Sequence, residues 1–357
     1  MNMPTKPPRL KSVAEIAGVS IAAASRILRG DTSQFTPQTC DRVRAAAKQI
    51  GWRRNLLVTS IQTGRTRTIG VVIPPYDSFW VALLSGINSR LARDDYLPIN
   101  VWPANEDNFP YFESPERESV LLLNRLLDRR VDALMLWPDF AQVYDHHTRE
   151  LGRSRVPVPV VMIDYKPQSE GCDTVSTDEA QAMRSVVDHL VSLGHHRLAY
   201  LSGREAPAQT WATERREGFV RAVATHRGVS AQTFKLNATG TNGVEVATEI
   251  LTGDQRPTAV VTATDHEAAN VYAAAALLGL SIPGQLSVVG FADLDFAEWM
   301  TPPLTTVRQH AREIGLRAAN LVLERLEGPA RDVPPKREQV STTLVHRGST
   351  ARPSGSP

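Results

Sequence analysis

Residues 13–28, VAEIAGVSIAAASRIL, constrain this chain more than any other stretch, because their capping and turn residues agree on a single local structure. Ser12 can cap a first short helix on which Val13, Ile16 and Ala17 share a face, and Gly18 supplies the left-handed backbone that ends it. Val19 then turns inward, Ser20 caps a second helix, and Ala24, Ile27 and Leu28 recur at helical spacing on its inner side. Small Ala17 and Ala24 let the two helices cross closely. With Ser20 at its start, the second helix keeps Ile21, Ala22, Ser25 and Arg26 near its outer face, where a DNA major groove could meet them.

Charge is distributed to match. Residues 1–65 hold eleven Lys and Arg against three Asp and Glu, whereas the remainder holds 29 against 35, so a basic head precedes an acidic body in a chain of net charge +2. That is the footprint of a nucleic-acid-binding module joined to something that does not bind nucleic acid. The 357 residues, 42% hydrophobic and 22% charged, suffice for two or three globular domains with a full core. Cys40 and Cys172 lie in different expected domains and form no CxxC, which rules out a zinc finger and suits a reduced compartment. The beginning, MNMPTKPPRL, has no apolar run of signal-peptide length, and no stretch has the apolar length to span a bilayer. A cytoplasmic protein without membrane contact is expected.

Along the chain, a Pro-rich leader precedes the two helices, and Thr36 with Pro37 opens a third helix carrying Val43, Ala46, Ala47 and Ile50, ended by Gly51. Between Trp52 and Thr68, Leu57, Val58 and Ile61 recur at helical spacing over about two turns, too short to hold a helix alone. From Thr68 onward strand and helix alternate. The runs TIGVVIP, PINVW, ALMLWP and VVMID are followed by a second series, TVSTD, RLAYLSG, AVVTAT and LSVVGF, with helices between them, notably 179–193 and 267–278. Two α/β halves with parallel sheets imply a cleft between them at the carboxyl ends of the strands. Residues 333–345 read as closing strands. The expected organisation is a head over 1–55, a hinge segment over 56–67, a body over 68–345 split near 165 and 292, and a disordered tail over 346–357.

The order of these parts, and the motifs VAEIAGVS followed by SRIL, Asn55, IGVVIP, LGHHRLAY, RREGF, the Asp265 loop, GLSIP, LSVVGF and PPLTTV, resemble the lactose and purine repressor family of bacterial transcription regulators over nearly the whole chain. The resemblance implies an α/β, periplasmic-binding-protein-like body of two doubly wound subdomains behind a three-helix helix-turn-helix head. It also implies a homodimer or tetramer that binds a near-palindromic operator in double-stranded DNA and responds to a small molecule, often a sugar, in the cleft. No leucine heptads follow Val345, so a dimer is the default.

By the same resemblance Ile21 and Ala22 stand at the main base-reading positions and Arg26 at a third, so thymine methyls would meet the first two and guanine the arginine. Asn55 falls in the hinge, and Ile61 where the family inserts a leucine between base steps in the minor groove. Arg54 replaces a usual proline there and Val58 a usual alanine. The family's effector contacts fall on Phe79, Trp80, Asp164, Arg215 and Asp265, with Trp211 close by in sequence. Aromatic faces with an arginine fork and carboxylates suit a small polar ring. One position departs: Ala292 stands where members usually carry aspartate directly after GF, with Asp293 next. Either Asp293 takes over that contact on a shifted strand end, or the effector lacks the hydroxyl pair an aspartate would bind.

An enzyme would need other signals. GxGxxG, GxxxxGK[ST] and GxSxG are absent, HEAAN at His266 lacks the second histidine of a zinc hydrolase, and His189, His195 and His196 have no partner at metal spacing. No metal or cofactor is expected. A periplasmic sugar receptor would share the body but not the basic head.

Overall fold

The computed structural model describes residues 8–54, 60, 63–74, 77–102, 115–137, 158–164, 172–203, 210–236, 242–328 and 333–354, with the backbone alone at 115–120. The chain divides into two compact units, Met1–Thr66 and Arg67–Pro357. The first seven residues, Asn55 and Ile61 lie outside the described residues.

The head holds α1 (Leu10–Ala17), α2 (Ile21–Leu28) and α3 (Pro37–Gln49). Gly18 takes φ 64° and ends α1. The Ser20 Oγ accepts from the Ala23 N–H at 3.1 Å and starts α2. Thr36 caps α3 with Pro37 as its first residue. Two details differ from the expectation. α1 begins at Leu10 after an uncapped Arg9, so Ser12 falls inside its first turn. Ile16 is half exposed and Ala14 takes the inner position, because Val13, Ala14 and Ala17 form the stripe that meets Ala24, Ile27, Cys40, Val43 and Ala46.

The body contains two six-stranded sheets. The first comprises β1 (Thr68–Val72), β2 (Leu97–Asn100), β3 (Ala133–Leu136), β4 (Val160–Ile163), β5 (Asp173–Thr177) and β11 (Arg337–Val340), in the order β11-β5-β4-β3-β1-β2, all parallel. The second comprises β6 (Arg197–Ser202), β7 (Ser230–Lys235), β8 (Ala259–Thr262), β9 (Ser287–Ala292), β10 (Thr305–Gln309) and β12 (Thr342–Val345), in the order β12-β10-β9-β8-β6-β7, antiparallel only at β10–β12. Helices α4 (Ser78–Leu91) and α5 (Pro115–Asp128) belong to the first series, and α6 (Glu179–Ser192), α7 (Thr210–Ala224), α8 (Gly243–Thr252) and α9 (Asp265–Leu277) to the second. Buried Val, Ile, Leu and Ala runs such as AVVT in β8 suit strands covered on both faces. Among the described residues no helix is long and apolar enough to cross a membrane.

The chain passes between the sheets three times: at Asp178 after β5, at His310 after β10, and at Ser341 between β11 and β12. The divisions expected near 165 and 292 are displaced because TVSTD completes the first sheet instead of opening the second, and because β10 continues the second sheet after LSVVGF. After His310, α10 (Ala311–Glu327) returns to the first sheet, packing Ile314, Ala318 and Val322 with Leu83 and Ile87 of α4.

The segment 346–354 is packed, contrary to the expected disordered tail. Ser349 is fully buried, its Oγ donating to the Val288 carbonyl at 2.6 Å and accepting from the Thr305 N–H at 2.8 Å. The Ala351 N–H donates to Ser287 Oγ at 3.1 Å, and the His195 Nε2 lies 2.9 Å from the Ala351 carbonyl. Small hydroxylated residues read as a solvated tail here satisfy buried backbone groups beside β9.

α4 and α10 approach so closely that a Cβ on Gly86 would collide with the Arg312 carbonyl oxygen, and one on Gly315 with the Leu83 carbonyl oxygen. Gly315→Ala is expected to cost about 1–3 kcal/mol through overpacking, despite alanine's advantage of up to about 1 kcal/mol in helix propensity. A Gly253→Ala control, whose Cβ meets nothing nearer than 3.7 Å, should be close to neutral. Urea midpoints measure both; an unchanged midpoint for Gly315→Ala would show that the two helices need not touch.

Candidate functional site

On the head, Ile21 and Ala22 are exposed at the start of α2, while Ser25 and Arg26 are half-buried one turn on. Ser20 is committed as the cap. Arg26 is held by the loop after α2: its Nε donates to Asp31 Oδ2 at 2.8 Å, its Nη1 to Gln34 Oε1 at 2.8 Å, and its guanidinium lies 5.6 Å from the Phe35 ring centre. The hydrogen bond from Arg26 holds the Asp31 carboxyl below its ordinary value. The arginine is thus held in one orientation within the head, with no hydrogen bond from its Nη2 among the described residues.

In the body, the carboxyl ends of strands from both sheets surround a cavity of about 90 Å³. After β1, Asp77 caps α4, its Oδ1 accepting from the Phe79 N–H at 3.0 Å, and this places Phe79 and Trp80 in the first helical turn. Trp80 meets Phe79 and Trp137 edge to face, with ring centres 4.9 and 4.3 Å apart. Asp164, just past β4 with φ 50°, accepts at Oδ1 from the Thr177 N–H at 2.9 Å and hydroxyl at 3.2 Å. Gln309, at the end of β10, donates to that hydroxyl oxygen at 2.7 Å. Thr264 caps α9 in a reciprocal box with Glu267.

Of the residues expected to touch an effector, Phe79, Trp80, Asp164, Trp211 and Arg215 line this cavity. Asp265 and Asp293 do not. Asp265 is fully buried behind the wall, its Oδ1 accepting from the Thr306 hydroxyl at 2.6 Å and its Oδ2 from the Leu294 N–H at 2.7 Å. Burial pushes its carboxyl up to about 7 against those two hydrogen bonds. Its neighbour Thr264, the cap of α9, lines the cavity instead. Asp293 is held by Arg308 at 2.6 Å and Arg347 at 2.7 Å, and it lines a second cavity of about 450 Å³ that shares Phe79, Ala292 and Gln309 with the first. These contacts and Asp265 support positive φ at Ala292 and Asp293, 108° and 57°, a conformation that costs non-glycine residues on the order of 1–3 kcal/mol. Trp137, Thr264 and Gln309 line the cavity without having been expected; each lies at or within two residues of the end of a strand, which is the signal that finds them.

The arginine fork is filled. Arg215 Nε and Nη2 donate to Glu179 Oε2 and Oε1, both at 2.7 Å, and Nη1 donates to the Ala263 carbonyl at 2.5 Å. Phe291 and Trp211 lie 3.4 and 4.7 Å from its guanidinium carbon. Burial pushes the Glu179 carboxyl up to about 7 and Arg215 opposes that rise. For Arg215, burial works against the charge, and Glu179 outweighs it to leave the guanidinium above its ordinary value. Sequence spacing gave no sign of Glu179, 36 positions away on another helix.

A helix-turn-helix head followed by two mostly parallel sheets with three crossings around a strand-end cleft defines a DNA-binding module carried on a periplasmic-binding-protein-like body. Residues 9–55 match bacterial regulatory proteins of the lacI family, and residues 187–350 match the periplasmic binding protein-like domain. The chain is 29% identical to the catabolite control protein A of Priestia megaterium over 315 residues, 87% of this chain and 90% of that one. It is 28% identical to the ribose operon repressor of Escherichia coli strain K12 over 348 residues, 95% of this chain and 99% of that one. The lac repressor dimer bound to operator and the anti-inducer ONPF shares the fold, with a TM-score of 0.79 at 23% identity, over 97% of this chain and 100% of that one. The chain belongs to the lacI family of bacterial regulatory proteins.

Because Glu179 and Arg215 are both 3% exposed, removing one strands the other. Glu179→Ala should cost about 3–5 kcal/mol in chemical denaturation, while Glu179→Leu combined with Arg215→Met should cost clearly less than the single change. A double variant as unstable as the single would show that the pair's worth lies in packing and not in charge compensation.

Proposed function

We propose that the protein is a sequence-specific DNA-binding transcriptional regulator, a repressor, that acts in the cytoplasm as a homodimer on a near-palindromic operator and whose operator affinity is set by a small-molecule effector in the cleft, a sugar or sugar derivative. The observation that carries this reading is the pairing, in one chain, of a capped α2 with exposed Ile21 and Ala22 and a cavity walled by strand ends of two sheets. Ribose is named for one relative, and operator binding by a dimer for a structure of the same fold.

The mechanism follows from differential affinity. A ligand that contacts both walls binds the arrangement in which they are close, and it can shift operator affinity only by the ratio of its affinities for the two arrangements. Asp178, His310 and Ser341, the three points where the chain passes between sheets, are the places where such a change would be absorbed. On DNA, Ile21 and Ala22 offer apolar contact to thymine methyls and Arg26 a fork for guanine, with Arg53 and Arg54 adding phosphate contacts. Ile61 is proposed as the minor-groove wedge and Asn55 as part of the hinge.

Selection of bound DNA from a random pool should return a two-fold symmetric motif, and affinity for it should fall by on the order of a hundredfold or more between roughly 50 and 200 mM salt. Arg26→Ala should relax preference at one base in each half-site by about 1–3 kcal/mol. An asymmetric motif, or binding insensitive to salt, would contradict a dimer reading DNA through this helix.

A further inference from the structure

The cleft's charge balance names the kind of compound it takes, granted that the cleft is the effector site. Among the described residues Arg215 is the only buried Lys or Arg of the body, and it is spent: three N–H groups are bonded within the protein and two aromatic rings pack against it. Two buried carboxylates stand beside this cation. Glu179 pairs with it directly, and Asp164 lines the same cavity. Asp164 uses only Oδ1 within the protein, for Thr177, and its Oδ2 accepts no hydrogen bond among the described residues although Asp164 lines the cavity. Among the described residues the other basic group lining the cavity is His266, which is exposed and faces Asp77 at 3.9 Å, so an acidic ligand would find no lysine or arginine of that lining left to bind it.

The remaining wall is aromatic. Phe79, Trp80, Trp137 and Trp211 line the same small space, and indole faces are the strongest partners for a desolvated cation. The Trp211 Nε1 is buried without an acceptor, an unmet donor in a residue that lines the cavity. Ala292 adds only a methyl group to the lining. We infer that the cleft takes a compact polyol bearing a protonated amine, an amino sugar or a related amino polyol, with its ammonium between Asp164 Oδ2 and the indole faces and an oxygen accepting from Trp211 Nε1. The amine supplies a cation to Asp164 Oδ2, and the hydroxyls supply the acceptor. An acid or a phosphate ester gains no such contact from the described lining.

The test uses the full-length protein and matched sets: glucosamine, galactosamine and mannosamine, each beside its parent hexose and its uronic acid, followed by thermal shift and calorimetric titration. At least one amine should bind about tenfold or more tightly than its parent sugar, as expected for a charge-assisted hydrogen bond, and no uronic acid should bind more tightly than its parent. Asp164→Asn keeps an Oδ1 to accept from Thr177, so its unliganded melting temperature should stay near the parent's while the amine's advantage collapses to about twofold or less. Amines that do not bind, that bind no better than their parents, or that lose to the acids overturn the inference, as does an advantage that survives Asp164→Asn. An operator-binding measurement on the same samples separates this from the effector reading. An amine that binds with the stated preference but leaves operator affinity unchanged supports the charge inference and sinks the effector role.

Discussion

The buried pair between Arg215 and Glu179 is the interaction on which the cleft depends. Glu179 opens α6 immediately after the chain's first passage between sheets, Arg215 comes from α7, and the guanidinium also takes the carbonyl of Ala263 beyond β8 and packs on Phe291 of β9. One side chain thus ties two helices to two strand ends of the second sheet and finishes one wall of the cavity. A buried ion pair contributes little net stability relative to apolar side chains, because desolvating both charges offsets their attraction. Its value here is positional, since the guanidinium packs on Trp211, and among the described residues no cation bonds Asp164 where it lines the cavity.

The opposite wall is built by different physics. α10 lies on α4 through a glycine contact, so the helix that follows the second passage belongs to the first sheet's core although the preceding strand belongs to the second sheet. The chain therefore interleaves the two halves three times, and neither half is a continuous stretch. Asp265 plays a comparable role below the cavity floor. Its carboxylate sits where a Cβ on Gly290 would fall, and it holds the Leu294 N–H and the Thr306 hydroxyl, supporting the strained backbone at Ala292 and Asp293.

Much of this was legible in the sequence wherever local chemistry decides the outcome. Ser20, Gly18, Thr36 and Pro37 act through their own backbone neighbours, and the apolar runs of β1, β3, β4, β8 and β9 are buried on both faces whatever surrounds them. Where the outcome depends on partners distant in the chain, the reading failed. β7, SAQTFK, is a mostly exposed edge strand with no apolar run to announce it. The 346–354 segment looks like a solvated tail until Val288, Thr305 and His195 supply its partners. At the site, Phe79, Trp80 and Asp164 are named by the family resemblance, and each lies in or just after a turn that follows a strand. Asp265 is drawn behind the wall by Thr306 and the Leu294 N–H, partners that spacing does not reveal, and Glu179 has no sequence signal linking it to Arg215.

The central claim is that occupancy of the cleft and occupancy of DNA are two sides of one equilibrium, and linkage gives it a direct test. The affinity of a cleft ligand is measured by calorimetry on the full-length protein alone and again with saturating operator DNA, and the operator's affinity is measured with and without saturating ligand. The account predicts that both ratios differ from one and are equal, typically about 5-fold to 150-fold, because the coupling free energy is reciprocal. A ligand that binds the cleft with the same affinity whether or not operator is present would contradict it.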